Sequence, residues 1–250
     1  MIRVNNVYKK FENEYVLNDV SVTLEKGKCN LIIGRSGSGK TVLLKSIVGL
    51  LETDRGEIWY DDRNFTRMTT KERMAIRKEM GMLFQGGALF DSLTIEENIL
   101  FPLNMFTKMS WQEKENRVNF CLQRVRLKNV NHLLPSELSG GMKKRAAIAR
   151  AIALFPRYLF CDEPNSGLDP ETGIVIDGLI KEITEEFDIT TVVNTHDMNS
   201  VLEIGDNVVY IYKGCKCWEG NKNEILHTKN EALNNFVFAT NLAQQIKPHS

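Results

Sequence analysis

Gly34-Arg35-Ser36-Gly37-Ser38-Gly39-Lys40-Thr41 lies between a short apolar run, Cys29 to Ile33, and a stretch from Thr41 to Leu50 whose apolar residues recur at helical spacing. The octapeptide fits G-x-x-x-x-G-K-[ST], and its flanks supply the strand and the helix that this pattern requires. Glycines allow backbone N–H groups to wrap an anion where a Cβ would intrude. Lys40 is then expected against β and γ phosphates and the Thr41 hydroxyl on Mg²⁺, with the positive end of the following helix directed at the same charge. The stretch therefore reads as a nucleotide site.

Composition narrows what surrounds it. The 250 residues allow one large domain or two small ones, and 32 basic residues balance 32 acidic ones, so no global field points to nucleic acid. No apolar run approaches the ~20 residues that cross a bilayer. The N-terminus Met1-Ile2-Arg3-Val4-Asn5 lacks a signal-peptide block, so a cytosolic chain is expected, meeting a membrane only through a partner. Five scattered cysteines suit reduced thiols, and Cys215-Lys216-Cys217 has no second ligand pair. It reads as part of a tight hairpin near Lys213-Gly214.

Working outward from the loop, Ile2 to Tyr8 and Val20 to Leu24 alternate as antiparallel strands with one wet face. Phe11 between them is either a platform for a base or a strand-end core residue, and the residues alone favour the core. Gly56 to Tyr60 reads as a strand and Lys71 to Lys78 as a charged helix. Met80 to Gln85 reads as a buried strand ending where a side-chain carbonyl could reach a metal or water. From Ala88 to about Phe155 the spacing turns helical, through Ile95 to Leu103, Val118 to Val125 and Ala146 to Leu154. The last of these follows Leu138-Ser139-Gly140-Gly141-Met142, a second glycine-rich turn at a helix start and a second candidate anion site.

Tyr158-Leu159-Phe160-Cys161-Asp162-Glu163 is an apolar strand ending in two acids, at the edge where parallel α/β sheets carry their chemistry. Asp162 suits Mg²⁺ and Glu163 suits a general base on water. Ile189 to Asn194 reads as the next strand, delivering His196 to the same edge. Val208 to Tyr212 and Cys217-Trp218 read as a closing hairpin. Asn230 to Ser250 has a weaker helical period through Leu233, Phe236, Val237, Ala239 and Leu242 and reads as an appended tail.

From about Ile2 to about His227 the chain resembles the ATP-binding subunits of ABC transporters. Six ordered motifs carry the resemblance: the Walker A loop Gly34 to Thr41, the Q-loop Gln85, the signature Leu138 to Met142, the Walker B strand ending Asp162-Glu163, the D-loop Ser166-Gly167-Leu168-Asp169 and the switch His196. Phe84 to Thr94, Glu97 to Leu103 and Met142-Lys143-Lys144-Arg145 look most like the Mla and Mce-associated phospholipid-transport ATPases. The resemblance implies an α/β fold: a P-loop NTPase (RecA-like) core with an antiparallel β subdomain and an inserted α-helical subdomain at about 88–155. The ATPase domain would span 1–228 and the tail 229–250.

It further implies that Glu163, His196, Gln85 and Lys40 are catalytic and that Thr41, Gln85 and Asp162 hold Mg²⁺. Phe11, Gly34, Arg35, Ser36, Gly37, Ser38, Gly39, Lys40 and Thr41 would hold ATP, with Ser139, Gly140 and Gly141 supplied by a second copy. The implied partners are that second copy, an integral membrane permease of Mla type docking near Gly86 to Pro102, and an Mce-type lipid-binding protein; nucleic acid is not among them. Leu89, Phe90 and Leu93 would serve either that docking or the subdomain core. The chain would lie on the cytoplasmic face of the membrane. Met142 stands where glutamine is commoner, Phe11 where tyrosine is, and Asn165 where threonine is. Two other readings are an ABC ATPase for a different solute and a non-transport ABC protein; neutral charge and a single ATPase unit weigh against the latter.

Overall fold

In the computed structural model, which describes residues 1–238, the fully buried strands carry short apolar runs, Leu31 to Ile33, Tyr158 to Cys161 and Val192-Val193, interrupted or ended by polar residues. In chain order the elements are β1 (Ile2–Phe11), β2 (Glu14–Leu24), β3 (Cys29–Ile33), α1 (Lys40–Ile47), β4 (Arg55–Tyr60), β5 (Arg63–Asn64), α2 (Thr70–Lys78) and β6 (Met80–Leu83). There follow α3 (Ile95–Phe106), α4 (Trp111–Arg124), α5 (Gly140–Ala151), β7 (Tyr158–Asp162), α6 (Pro170–Glu186), β8 (Thr190–Thr195), α7 (Met198–Ile204), β9 (Asn207–Tyr212), β10 (Cys215–Gly220) and α8 (Glu231–Val237). One sheet is antiparallel, in the order β2-β1-β4-β5, and the other runs β10-β9-β3-β8-β7-β6. The second is parallel except for β10, which closes against β9 through Lys213 and Gly214, both at positive φ as a two-residue hairpin demands.

Period-two alternation assigns each side chain of the parallel sheet to one of two cores. Leu31, Ile33, Leu159, Cys161 and Val193 join the cluster beneath α3 to α8, whereas Ile32, Tyr158, Phe160 and Val192 join the one shared with α1 and the antiparallel sheet. One step further along β7 and β8, the same alternation sends Asp162 and Asn194 to the face that carries α1. The two are direct neighbours in the β7–β8 register, and Ile32 is the partner of Asn194 on β3.

Three helices begin with capping boxes, in which a hydroxyl and a glutamate three residues on satisfy each other's backbone: Thr69 with Glu72, Thr94 with Glu97 and Ser110 with Glu113. Each cap is worth ~1 kcal/mol to its helix. Their S/T-x-x-E pattern explains why α2 and α4 start ahead of the apolar periodicity.

Several expectations are corrected. The expected strand Met80 to Gln85 ends at Leu83, because Phe84 to Gly87 turns, with the Gly87 N–H donating to the Phe84 carbonyl. Phe11 is 45 % exposed, which removes the core reading for it. Leu89 packs against the larger core while Phe90 is exposed, so the core reading holds for Leu89 and not for Phe90. Leu233, Val237 and Phe238 are buried in the main core, and the Tyr210 hydroxyl donates to the Ala232 carbonyl, so α8 is fastened to β9. Ala239 and Leu242, which extend the expected helical period of the tail, lie outside the described residues.

Candidate nucleotide site

The phosphate loop is built by close backbone approach. A Cβ on Gly39, whose φ is 104°, would lie 2.7 Å from the Val16 carbonyl oxygen, and one on Gly34 would meet the Ile211 carbonyl oxygen at 2.3 Å. The β9–β10 turn braces it, with the Gly214 N–H donating to the Ser38 carbonyl and the Asn18 N–H to Gly214. Lys40 is buried and folds back over the loop, its Nζ donating to the carbonyls of Gly34 at 2.8 Å and Arg35 at 3.2 Å. Burial lowers its pKa, opposed by the charges of Glu163 and Asp162.

Ser36, Gly37, Gly39, Lys40 and Thr41 line one cleft of about 450 Å³ with Val16, Val42, Gln85, Glu163 and His196. The three motifs expected to converge on the sheet edge therefore do converge. His196 Nδ1 lies 2.9 Å from Glu163 Oε1 and 2.8 Å from Oε2. Glu163 sits at φ 49°, in the left-handed region, held there by its own N–H donating to the Asn194 carbonyl at 2.8 Å. A non-glycine residue in that region costs on the order of 1–3 kcal/mol and persists where its surroundings fix it. Gln85 donates from Nε2 to Ser166 Oγ at 3.3 Å, a weak link to the expected D-loop. Phe11 is not among the residues lining this cleft; Lys9 Nζ lies 5.7 Å from its ring.

The donor set suits Mg²⁺, which takes oxygen ligands, binds one or two carboxylates plus phosphates, and needs no all-protein cage. Among the described residues no cluster of three or more His, Cys, Asp or Glu forms a metal site. What the site offers instead is the Thr41 hydroxyl, which lines the cleft, and the Asp162 carboxylate, which does not line it but is joined to Thr41 through Asn194, whose Nδ2 donates to both. Burial raises the pKa of Asp162, the Asn194 hydrogen bond opposes that, and the Glu163 charge adds to it.

Ser139 caps α5 by accepting from the Met142 N–H, and Gly141 is required by packing, since a Cβ there would lie 2.5 Å from Thr172 Cγ2. Ser139 and Gly140 face solvent and, like Gly141, are not among the residues that line the cleft of their own chain.

Other functional side chains are missed by sequence reading. Lys144 on α5 is buried, its Nζ donating to the Gln85 carbonyl and reaching the Glu163 carbonyl at 3.5 Å, and Arg150 donates to Gly87 and Ala88 at 2.9 and 2.7 Å. One helix thereby holds the whole turn after β6. Within Lys143-Lys144-Arg145 nothing in the spacing tells which cation turns inward. Asn98, fully buried on α3, accepts from the Phe90 N–H and donates to the carbonyls of Phe90, Leu93 and Thr94, fixing that loop beside an apolar groove of about 390 Å³ lined by Phe84, Phe90, Phe101 and Phe106.

Asn165, unexplained by the sequence, donates to Asp177 Oδ2 at 2.8 Å and Ser200 Oγ at 3.0 Å, tying the turn after β7 to α6 and α7. Burial pushes the Asp177 carboxyl up to about 6, with Asp197 and Glu203 adding to it. A carboxyl whose folded pKa exceeds its unfolded value near 3.8 favours the fold fully only below pH ~4; that advantage is lost as pH rises through about 6. Asp177→Asn is therefore expected to be more stable than the parent at pH 8 by about 2–3 kcal/mol, from roughly two pKa units. The difference should vanish near pH 4. Urea midpoints across that range check it, and equal midpoints at pH 8 would remove the strained carboxylate.

A phosphate loop, two acids ending the neighbouring buried strand and a histidine in contact with the second acid define a P-loop ATPase. The ABC transporter family profile matches residues 17–166, and the chain belongs to that family as one of its ATP-hydrolysing subunits. It is 38% identical over 237 residues to the intermembrane phospholipid transport system ATP-binding protein MlaF of Haemophilus influenzae, covering 95% of this chain and 90% of that one. It is 39% identical over 242 residues to the methionine import ATP-binding protein MetN 2 of Bacillus cereus, covering 95% and 71%. Among solved structures, the dimeric bacterial ABC transporter cassette MJ0796 superposes with a TM-score of 0.81 at 34% identity, covering 89% of this chain and 99% of that one. The expected fold class is thus met in full. Among the described residues no helix is long and apolar enough to cross a membrane.

Proposed function

We propose that the chain is the ATP-hydrolysing subunit of a transporter that moves phospholipid through a separate membrane permease. The observation that carries the enzymatic half is the single cleft uniting Lys40, Thr41, Glu163 and His196. In it Lys40 and the loop amides hold the β and γ phosphates; Thr41, the Gln85 side-chain carbonyl and the neighbouring Asp162 would hold Mg²⁺, which when bound would neutralise phosphate charge. Glu163 takes the proton of the attacking water, and His196 orients that carboxylate. Phe11 stacks on the base. Arg35, Ser36, Gly37 and Ser38 complete the phosphate cradle.

Ser139, Gly140 and Gly141 complete the partner's cleft rather than their own, so two copies sandwich two ATP molecules head to tail. This follows from their exposed position at a helix start, where N–H groups and the helix dipole favour an anion. Residues 1–228 form the ATPase domain, with 88–155 as its helical insertion, and the segment that follows begins with α8, which packs back on the core of that domain. The groove of Phe84, Phe90, Phe101 and Phe106 takes a permease segment, which keeps the chain on the cytoplasmic face of the membrane. An Mce-type protein hands lipid to that permease.

Overall identity does not choose the cargo, because 38% to MlaF and 39% to MetN 2 are equivalent. Phospholipid is favoured by the wording of Phe84 to Thr94 and by Met142 in the signature. The test is to purify the chain in detergent with the membrane protein that accompanies it and reconstitute the pair in liposomes. Turnover is expected to respond to phospholipid composition and to ignore amino acids. A response to a small solute instead would transfer the assignment to an importer, and repeated failure to recover any membrane partner would refute the transporter reading.

A further inference from the structure

Asn194 is an unexpected residue for its position. It is fully buried in β8, directly after Val192 and Val193, on the face packed against α1, where apolar side chains fill the sheet. Its Oδ1 is buried with no hydrogen-bond partner. An orphaned buried carbonyl is costly, and a branched apolar residue would fill the strand without that cost. Packing therefore does not account for an amide here.

The other end of the side chain does. Nδ2 donates to Asp162 Oδ1 and, at 3.2 Å, to Thr41 Oγ1. Because the carboxylate only accepts, the nitrogen rather than the oxygen must face it. The β7–β8 register sets the contact, since Asp162 and Asn194 are direct cross-strand partners whose side chains share the α1 face. A single NH₂ group thus spans the last residue of β7 and the first turn of α1.

We infer that Asn194 is a positioning residue that presets two of the three protein ligands of the metal, Thr41 and Asp162. The inference rests on the reading of Thr41 and Asp162 as those ligands. Each has a lone pair to spare: the carboxylate keeps Oδ2 free, and the hydroxyl oxygen has a second lone pair. By engaging the pairs the cation does not use, the amide fixes the rotamers of both side chains before the metal arrives. Being neutral, it adds no charge to oppose the cation, as Lys or Arg would, and no rival carboxylate. Groups that orient metal ligands in this way typically contribute 10–100-fold to metal affinity.

The test uses the full chain and a slowly hydrolysed ATP analogue, with binding followed as Mg²⁺ is titrated and again in excess EDTA. Asn194→Val is expected to raise the half-saturating Mg²⁺ concentration roughly 10–100-fold. Affinity in EDTA should stay within about twofold, and the thermal midpoint of the nucleotide-free protein should change little, since the orphaned carbonyl is removed together with the donor to the Asp162 carboxylate. Asn194→Thr keeps the branched shape with one donor and should lie between; it carries the same comparison if the valine variant does not fold.

Asp162→Asn serves as the reference, with the Mg²⁺ response expected to disappear. An unchanged Mg²⁺ titration in both Asn194 variants, while Asp162→Asn loses it, would overturn the inference alone. Equal losses with and without Mg²⁺, together with a lowered thermal midpoint, would make Asn194 merely structural and also overturn it. A full Mg²⁺ response in Asp162→Asn would instead refute the metal reading beneath it.

Discussion

Glu163→Gln is expected to bind ATP at least as tightly as the parent chain while its turnover falls roughly 100- to 10,000-fold, the range that loss of a positioned general base costs. Glutamine keeps the length of the side chain and can still hydrogen-bond His196, which lies within 2.9 Å of the carboxylate. It cannot take a proton from water. It also removes a negative charge facing the phosphates, so binding has no reason to weaken. The backbone at this residue already stands at φ 49°, and both side chains have the same Cβ, so the substitution adds no strain. ATP-loaded pairs should then accumulate, visible as a doubled mass in gel filtration with ATP and not without it. Normal turnover in this variant would exclude Glu163 as the base.

Lys40→Ala is the second large effect. A buried ammonium with a phosphate partner supplies a charge-assisted hydrogen bond worth about 1.5–3 kcal/mol, so truncation should weaken nucleotide binding by roughly 10- to 150-fold. The structure adds a second loss. Without the ammonium, the carbonyls of Gly34 and Arg35 lose the donor that holds them, and the loop loses the tie that keeps its amides directed inward. Fluorescent-nucleotide titration measures the combined change, and unaltered affinity would argue against the loop as the phosphate site.

What the sequence made legible follows period and punctuation. A strand buried on both faces is a plain apolar run, and the polar residue that ends it announces the sheet edge; Glu163, His196 and the phosphate loop were placed together on that ground alone. Asn194 carried the same signal, a polar residue closing Val192-Val193, and was read only as the end of a strand because its target lies across two other elements. Lys144 and Arg150 were invisible for a different reason. Their acceptors are backbone carbonyls of the turn after β6, and carbonyls leave no trace in residue identity. For Phe11 only the core reading fails, because an aromatic near a strand end is usually covered, whereas here the strand outruns the core. Asn165 had no account until Asp177 and Ser200 appeared beside it, from helices that no local pattern could bring within reach.

Helix α5 begins at Ser139 and, one to three turns later, grasps the backbone at Gln85, Gly87 and Ala88. In a head-to-tail pair its first turn answers to the neighbour's fuel while its later turns steer the local groove where a transporter segment would sit. Under the proposed pairing each groove would consult two reservoirs, its own through Gln85 and the other subunit's through this rod. Such wiring would make a half-loaded machine mechanically ambiguous and would tie the strokes of the two halves to a common clock.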